Sequence, residues 1–320
     1  MTTRRQIVLF SAAAIAAPLT SIAQTQKLPR IVAAGPELYR DALRQGLLER
    51  GYVEGKNILV EYRVFDGRLD ALPGVIAETM ALKPDVIVAS SNTMVAALKK
   101  ATQTIPIVMG SVGDPVGSGF VDSLGRPGGN ITGLSNLSEG VSAKRFEILM
   151  EIRPRLSRVA VLRHGPNPTH ATFYREIEAA ARAAKVTPVP VDFRTGADFE
   201  DAFKTISRER ADALVTLPDP VSTANRALLV GLSEKYKLPT IYPFSHFVEN
   251  GGLVAYGASI ADLWRRADAY VDRIVKGAKP AELPIEQPTK FELFFNLKTA
   301  KALGIAIPQS LLLRADKVIE

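Results

Sequence analysis

The sequence contains no cysteine, and that absence closes several routes at once. No disulfide can staple the fold, so its stability must come from buried apolar surface. Cysteine-pair racemase chemistry is excluded, and no cysteine is present to carry a lipid anchor. Histidine is almost as scarce: His164, His170 and His246 are the full set. They show no pairing four residues apart on a helix with acidic support, so a zinc site is not expected and they read as solvated or capping residues. There is no Gly-x-x-x-x-Gly-Lys-Ser/Thr phosphate loop, and Gly133-Leu-Ser-Asn-Leu lacks the second glycine of a nucleophile elbow. The glycine-rich run from Gly110 to Gly119 follows a strand, which invites a dinucleotide reading. Its spacing is wrong for Gly-x-Gly-x-x-Gly, and it follows the fourth strand instead of the first. No enzyme, metal or cofactor signature is left.

What is present is an ordinary globular composition with an unusual start. The chain has 320 residues, 47% hydrophobic and 23% charged, enough for two cores of normal size. In residues 1–23, Arg4 and Arg5 precede an apolar stretch from Ile7 to Ile22 that ends in Ser21-Ile22-Ala23. A charged head, an apolar middle and a small-x-small ending form an export signal peptide, interrupted by Pro18 and too short for a spanning helix. Thr3-Arg4-Arg5 partly resembles a twin-arginine signal, and the general and twin-arginine export routes both remain open. Removal of this segment takes away two Arg and no acid, so the net charge of +7 becomes +5. That surplus is spread along the chain without the density a phosphate-tracking surface needs, so no nucleic-acid partner is expected. The mature chain is expected to be soluble and not a lipoprotein.

The remainder is written twice. In the first copy an apolar run (Ile31 to Ala34) meets the Gly35-Pro36 turn and a helix to Arg50. A strand (Ile58 to Phe65), a helix to about Leu82, Asp85-Val-Ile-Val-Ala, a third helix and Ile105-Pro-Ile-Val-Met follow. The second copy starts at Arg158-Val-Ala-Val-Leu and repeats the order: helix about 170–185, strand 187–193, helix 198–208, Asp212-Ala-Leu-Val-Thr, helix about 222–236 and Leu238-Pro-Thr-Ile-Tyr. Short apolar runs alternating with amphipathic stretches predict an α/β fold: two doubly wound, Rossmann-like lobes with parallel sheets. The expected lobes are 29–133 plus about 256–286, and 134–255 plus about 287–320. Glycine-rich segments near Gly128-Gly129 and Gly251-Gly252 are the expected hinge.

Parallel sheets bind at the carboxyl ends of their strands, so the polar residues there are the candidate ligand contacts. Ser90, Ser91, Asn92 and Thr93 stand before the helix Met94 to Ala101, where free amides and hydroxyls suit a carboxylate; plain N-capping is the alternative. Ser111, Gly113 and Asp114 end the next strand, with Asp114 as the expected acceptor of a ligand ammonium and a simple Asp-Pro turn as its alternative. The second copy offers Asn167, Asp219, Tyr242 and Phe244 at the equivalent strand ends, the two aromatics as walls for an apolar side chain. Trp264 falls on the helical stripe Ile260, Leu263, Trp264, Ala267, Tyr270, Val271, Ile274 and reads as core.

At these motifs the chain resembles the tryptophan/tyrosine-type substrate-binding proteins of bacterial ABC importers. The resemblance lies in Gly51-Tyr-Val-Glu-Gly-Lys-Asn57, Ile105-Pro-Ile-Val, Gly113-Asp-Pro-Val, Leu124-Gly-Arg-Pro-Gly-Gly-Asn-Ile-Thr-Gly, Gln287-Pro-Thr-Lys-Phe-Glu-Leu and Asn296-Leu-Lys-Thr-Ala-Lys-Ala-Leu-Gly304. It implies a type I periplasmic-binding fold that closes on a small ligand, an amino acid or carboxylate, and passes it to a permease in the inner membrane. The chain departs from the family in a shorter loop after the first strand and in His164-Gly-Pro-Asn167-Pro168, which keeps half of an Asn-Pro-x-Asn-Pro turn. A receptor that reports to a signalling system is an alternative of the same shape. A sugar-repressor-like regulator would need a helix-turn-helix where this chain has an export signal.

Overall fold

The computed structural model describes residues 27–320 except Asp66 and residues 137–139, so the expected signal peptide lies outside the described residues. The first sheet is built from β1 (Arg30–Gly35), α1 (Arg40–Glu49), β2 (Leu59–Val64), α2 (Leu72–Ala81), β3 (Val86–Ser90), α3 (Asn92–Ala101), β4 (Ile107–Val112) and β5 (Ile131–Ser135). The chain then enters the second lobe with α4 (Val141–Ile152), β6 (Arg158–His164), α5 (His170–Ala183), β7 (Thr187–Phe193) and α6 (Phe199–Arg208). It continues through β8 (Ala213–Thr216), α7 (Pro220–Ala224), α8 (Arg226–Lys235), β9 (Thr240–Tyr242), α9 (Ser245–Glu249) and β10 (Val254–Ala258). The last part comprises α10 (Ile260–Val275), β11 (Phe291–Asn296), α11 (Leu297–Ala302), α12 (Gln309–Leu312) and β12 (Lys317–Ile319).

The strand order in the first sheet is β2-β1-β3-β4-β5, all parallel. The second sheet contains the same pattern, β7-β6-β8-β9-β10, extended by β11, which runs antiparallel to β10, and by β12. The duplication read from the sequence is therefore a duplication of topology. Strands β3, β4, β5, β8 and β9 are buried at every position, as expected where helices cover both faces of a parallel sheet. Edge strand β7 alternates instead, with Val189, Val191 and Phe193 inward and Pro190 exposed. A proline there withholds a backbone donor from any strand adding to the edge.

Each copy holds one strand more than its sequence repeat reveals. The fifth strands, β5 and β10, join their sheets before the chain changes lobe. The passages therefore fall after Ser135, after Ala258 and between Glu286 and Phe291. The expected hinge glycines are corrected accordingly: Gly128-Gly129 lie in the loop before β5, and Gly251-Gly252 lie between α9 and β10, all one strand short of the passages. The helix expected at about 222–236 is broken at Asn225 into α7 and α8.

After β10, α10 returns to cover the first sheet, packing on α1, β3, β4 and β5. Its apolar stripe is the one read from spacing, with Trp264 only 1% exposed. The indole fits because Gly35 and Gly110 offer no side chain; a Cβ on either would come within about 3 Å of its ring.

Gly133 shows how tightly β5 is held. Its φ is +124°, and an added Cβ would run into the backbone of Met109 on β4. Gly133→Ala should destabilise the fold by about 2–3 kcal/mol in urea denaturation, combining backbone strain with overpacking. Gly129→Ala, with open space around it, should stay within about 0.5 kcal/mol. Equal effects of the two would contradict this account of β5.

Candidate ligand-binding cleft

The carboxyl ends of the two sheets face each other across a cavity partly open to solvent. The first lobe contributes Pro36 and Tyr39 after β1, Ser90, Ser91 and Asn92 at β3, Ser111 and Gly113 at β4, and Asn136 after β5. The second contributes Asn167, Thr169 and Phe173 after β6, Pro218, Asp219, Pro220 and Thr223 after β8, and Phe244 after β9, while Ile260 lines the cavity from the start of α10. Most of the strand-end residues read from the sequence thus meet in one place. Strand register shifts at Ala89/Ser90 and between Met109 and Val112 twist the ends of β3 and β4 at this rim.

Three candidates stand elsewhere. Asp114 does not line the cavity; its Oδ1 accepts the Gly117 N–H at 2.8 Å, and its backbone takes φ +41° to make the Asp-Pro turn. Thr93 lies in the first turn of α3, off the cavity wall. Tyr242 is fully buried behind the sheet, its hydroxyl donating to Ser233 Oγ at 3.0 Å and its ring stacked on Phe247. β9 ends at Tyr242, whose side chain stays in the core, whereas Phe244 stands beyond the strand at the N-cap of α9 and reaches the cleft.

The small polar residues are largely pre-positioned by one another. Asn92 Oδ1 accepts the Gly113 N–H at 3.0 Å while its Nδ2 donates to Gly113 O and to Ser118 Oγ, which clamps the β4 loop onto α3. Ser91 caps α3 by accepting from Met94 N–H at 3.3 Å. Its φ of +69° with ψ of 147° is a region nearly reserved for glycine, so strain is held at the rim of the cavity. Asn136 donates to Ser111 Oγ at 2.8 Å, and its buried Oδ1 has no partner. The sequence reading missed Asn136 because it missed the role of β5. It missed Phe173 because an aromatic in the first turn of a helix looks like core.

Asp219 is the only ionised side chain on the cavity wall among the described residues. Its Oδ1 accepts the Val221 N–H at 2.8 Å, capping α7, and its Oδ2 accepts from His164 Nδ1 at 2.9 Å and Asn167 Nδ2 at 3.0 Å. Burial alone would raise its pKa, but the His164 bond, neighbouring His170 and Asn167 outweigh burial and hold the carboxyl below its usual range. His164 and His170 are buried, where the sequence suggests solvated or capping residues, because they build this support. His170 accepts the His164 backbone N–H at Nδ1 and donates from Nε2 to Pro218 O at 3.0 Å, which fixes its tautomer. Among the described residues no cluster suits a metal ion, and no helix is long and apolar enough to cross a membrane.

His246 stands behind Tyr39 of the cavity wall, its Nδ1 3.4 Å from the Tyr39 hydroxyl. Burial, aided by the Arg226 cation, pushes its pKa down to about 3, and burial likewise lowers that of His170. Both rings are neutral in the fold, whereas the unfolded chain protonates histidine below about pH 6.5. The unfolded state then binds more protons, so this stabilisation is complete above about pH 6.5 and is lost as pH falls toward the folded pKa. The melting temperature should fall as pH is lowered from about 6.5 to 4, and His246→Gln should flatten the slope. Calorimetric melts at constant ionic strength check this; an unaltered slope in the variant would remove His246 from the account.

The comparisons agree with this architecture. Residues 31–319 match the family described as ABC transporter substrate binding protein. A tyrosine-binding protein from Clostridioides difficile is 23% identical over 261 residues, which is 82% of this chain and 75% of that protein. A conserved domain protein from Vibrio cholerae is 28% identical, with a TM-score of 0.84 over 91% of this chain and 100% of that one. A Streptococcus pneumoniae ABC domain solved in complex with L-Trp is 24% identical, with a TM-score of 0.85 and the same coverage. With its duplicated five-strand topology, its cleft between facing strand ends and a family match that runs almost the whole described length, the chain belongs to the ABC transporter substrate-binding protein family.

Proposed function

We propose that this chain is the periplasmic receptor of an ABC importer, working as a monomer that captures an amino acid between its lobes and presents it to an inner-membrane permease. The observation that carries the reading is the mixed lining of one cavity. It holds acceptors: Asn136 Oδ1 without a partner and Asp219, whose Oδ1 carries a single hydrogen bond. A carboxylate oxygen has two lone pairs, so Asp219 retains a place for an ammonium. The first amides of α3 and the hydroxyls of Ser90 and Ser111 favour a carboxylate. Tyr39, Phe244 and Ile260 offer apolar wall for a side chain. Among the described residues the wall carries no Lys, Arg or His, which favours a zwitterion over a dianion. The tyrosine-binding relative and the L-Trp complex point to the aromatic amino acids as the first ligands to try.

A thermal-shift screen of residues 24–320 against the amino acids and small carboxylates tests the reading. A ligand at 100 times its Kd should stabilise by about 2.7 kcal/mol. For the ligand found, Asp219→Asn should weaken binding by about thirtyfold or more, the usual consequence of leaving one member of a buried charged hydrogen bond unpaired. A loss below threefold in a folded variant would reject the ammonium role.

Closure has its own contact. Gly67 of the first lobe, with φ +84°, meets the turn that carries Asp219; a Cβ there would lie 2.7 Å from the backbone of Pro220 and Val221. Gly67→Ala should hold the lobes apart, giving a larger scattering radius than the parent at saturating ligand. Equal radii would show that this contact does not govern closure.

A further inference from the structure

Behind the wall residues Tyr39 and Thr223 lie polar atoms that the amino-acid reading leaves unused. Arg226, at the start of α8, donates from Nη1 to Thr223 O at 3.2 Å, and its Nε is buried with no partner. Among the described residues it has no carboxylate within ion-pair distance. His246 is 8% exposed, and its Nε2 is also buried without a partner. The Tyr39 hydroxyl meets His246 Nδ1 at 3.4 Å, a long contact.

These groups stand directly behind the cavity wall. Tyr39 is part of that wall, Thr223 is joined to Arg226 through its carbonyl, and the Phe244 ring lies 5.6 Å from the His246 ring. The Arg226 cation is felt at both Tyr39 and His246, and Glu292 is the acidic group felt at Tyr39. When the Tyr39 hydroxyl donates to Nδ1, the neutral imidazole carries its proton on Nε2. Arg226 Nε–H is a donor in every state. Two buried N–H groups then lack an acceptor, an arrangement that folded proteins rarely leave unfilled.

We infer that Tyr39, His246 and Arg226 form a distal subsite of the cleft that takes an oxygen acceptor, a carboxylate or a phenol hydroxyl, at the far end of the ligand's side chain. The inference rests on the amino-acid reading of the cleft. With the ammonium and carboxylate held between Asn136, Asp219 and α3, the side chain runs past Phe244 toward this cluster, and the subsite reads its tip. A site with buried donors discriminates against a ligand that leaves them unpaired far more sharply than an apolar pocket discriminates by size.

Calorimetry with three ring-matched ligands, L-phenylalanine, L-tyrosine and 4-carboxy-L-phenylalanine, tests it. The parent protein should bind at least one of the two oxygen-bearing ligands about tenfold or more tightly than phenylalanine, as expected for hydrogen bonds from a charged donor. Whichever gains identifies the oxygen as phenol or carboxylate. Arg226→Met should cut that margin below threefold while leaving phenylalanine affinity within threefold, and Arg226→Lys should keep part of the margin. A parent protein that binds all three alike overturns the inference, as does an Arg226→Met variant that weakens all three equally, which would mark the arginine as structural. If none of the three binds while another amino acid does, the distal subsite falls and the amino-acid reading stands. If no amino acid binds, both fall.

Discussion

A parallel sheet must be covered on both faces, and this constraint shapes everything else in the molecule. Once helices lie over the apolar strands of each lobe, the rims at the strand ends are where backbone and short polar side chains can meet a ligand. With two such sheets in one chain, the rims become the two walls of a cavity. The burial of β3, β4 and β5 at every position and the convergence of Ser90, Ser111 and Asn136 on the cleft are therefore one fact seen from two sides.

Within that cavity the costly element is Asp219. A carboxylate with its side chain fully buried would protonate unless its oxygens were supplied with hydrogens, and His164, Asn167 and the Val221 amide supply them. His170 in turn holds the backbone of His164 and the carbonyl of Pro218, so the two segments that end β6 and β8 are tied around one charge. The same rings that looked incidental in the sequence are the scaffold of the site. Their mutual hydrogen bonds hold a single negative group in place in the cavity wall.

Much of the fold was legible because strand and helix periods are local. The β-α alternation, the stripe ending at Trp264 and the strand-end positions of Ser90, Asn167 and Asp219 need only their neighbours in sequence. What was not legible depends on partners far away. Asn136 becomes a wall residue because β5 pairs with β4, and Tyr242 turns inward because Ser233 waits on α8. Asp114 was the clearest candidate by motif. It instead bonds its own turn at Gly117, since a carboxylate three residues before a free amide has a nearer partner than any ligand.

The return of α10 to the first sheet has a consequence for the order in which the protein can be made. β5 ends at Ser135, and the helix that covers β3 to β5 begins at Ile260. During synthesis the first sheet must wait for a segment more than a hundred residues downstream before its apolar face, with the hollow left by Gly35 and Gly110, is filled by Trp264. Contacts so distant along the chain form late. Neither lobe is a cassette that a single cut could free or a single fusion could transplant, so the two copies stand as one interlocked unit.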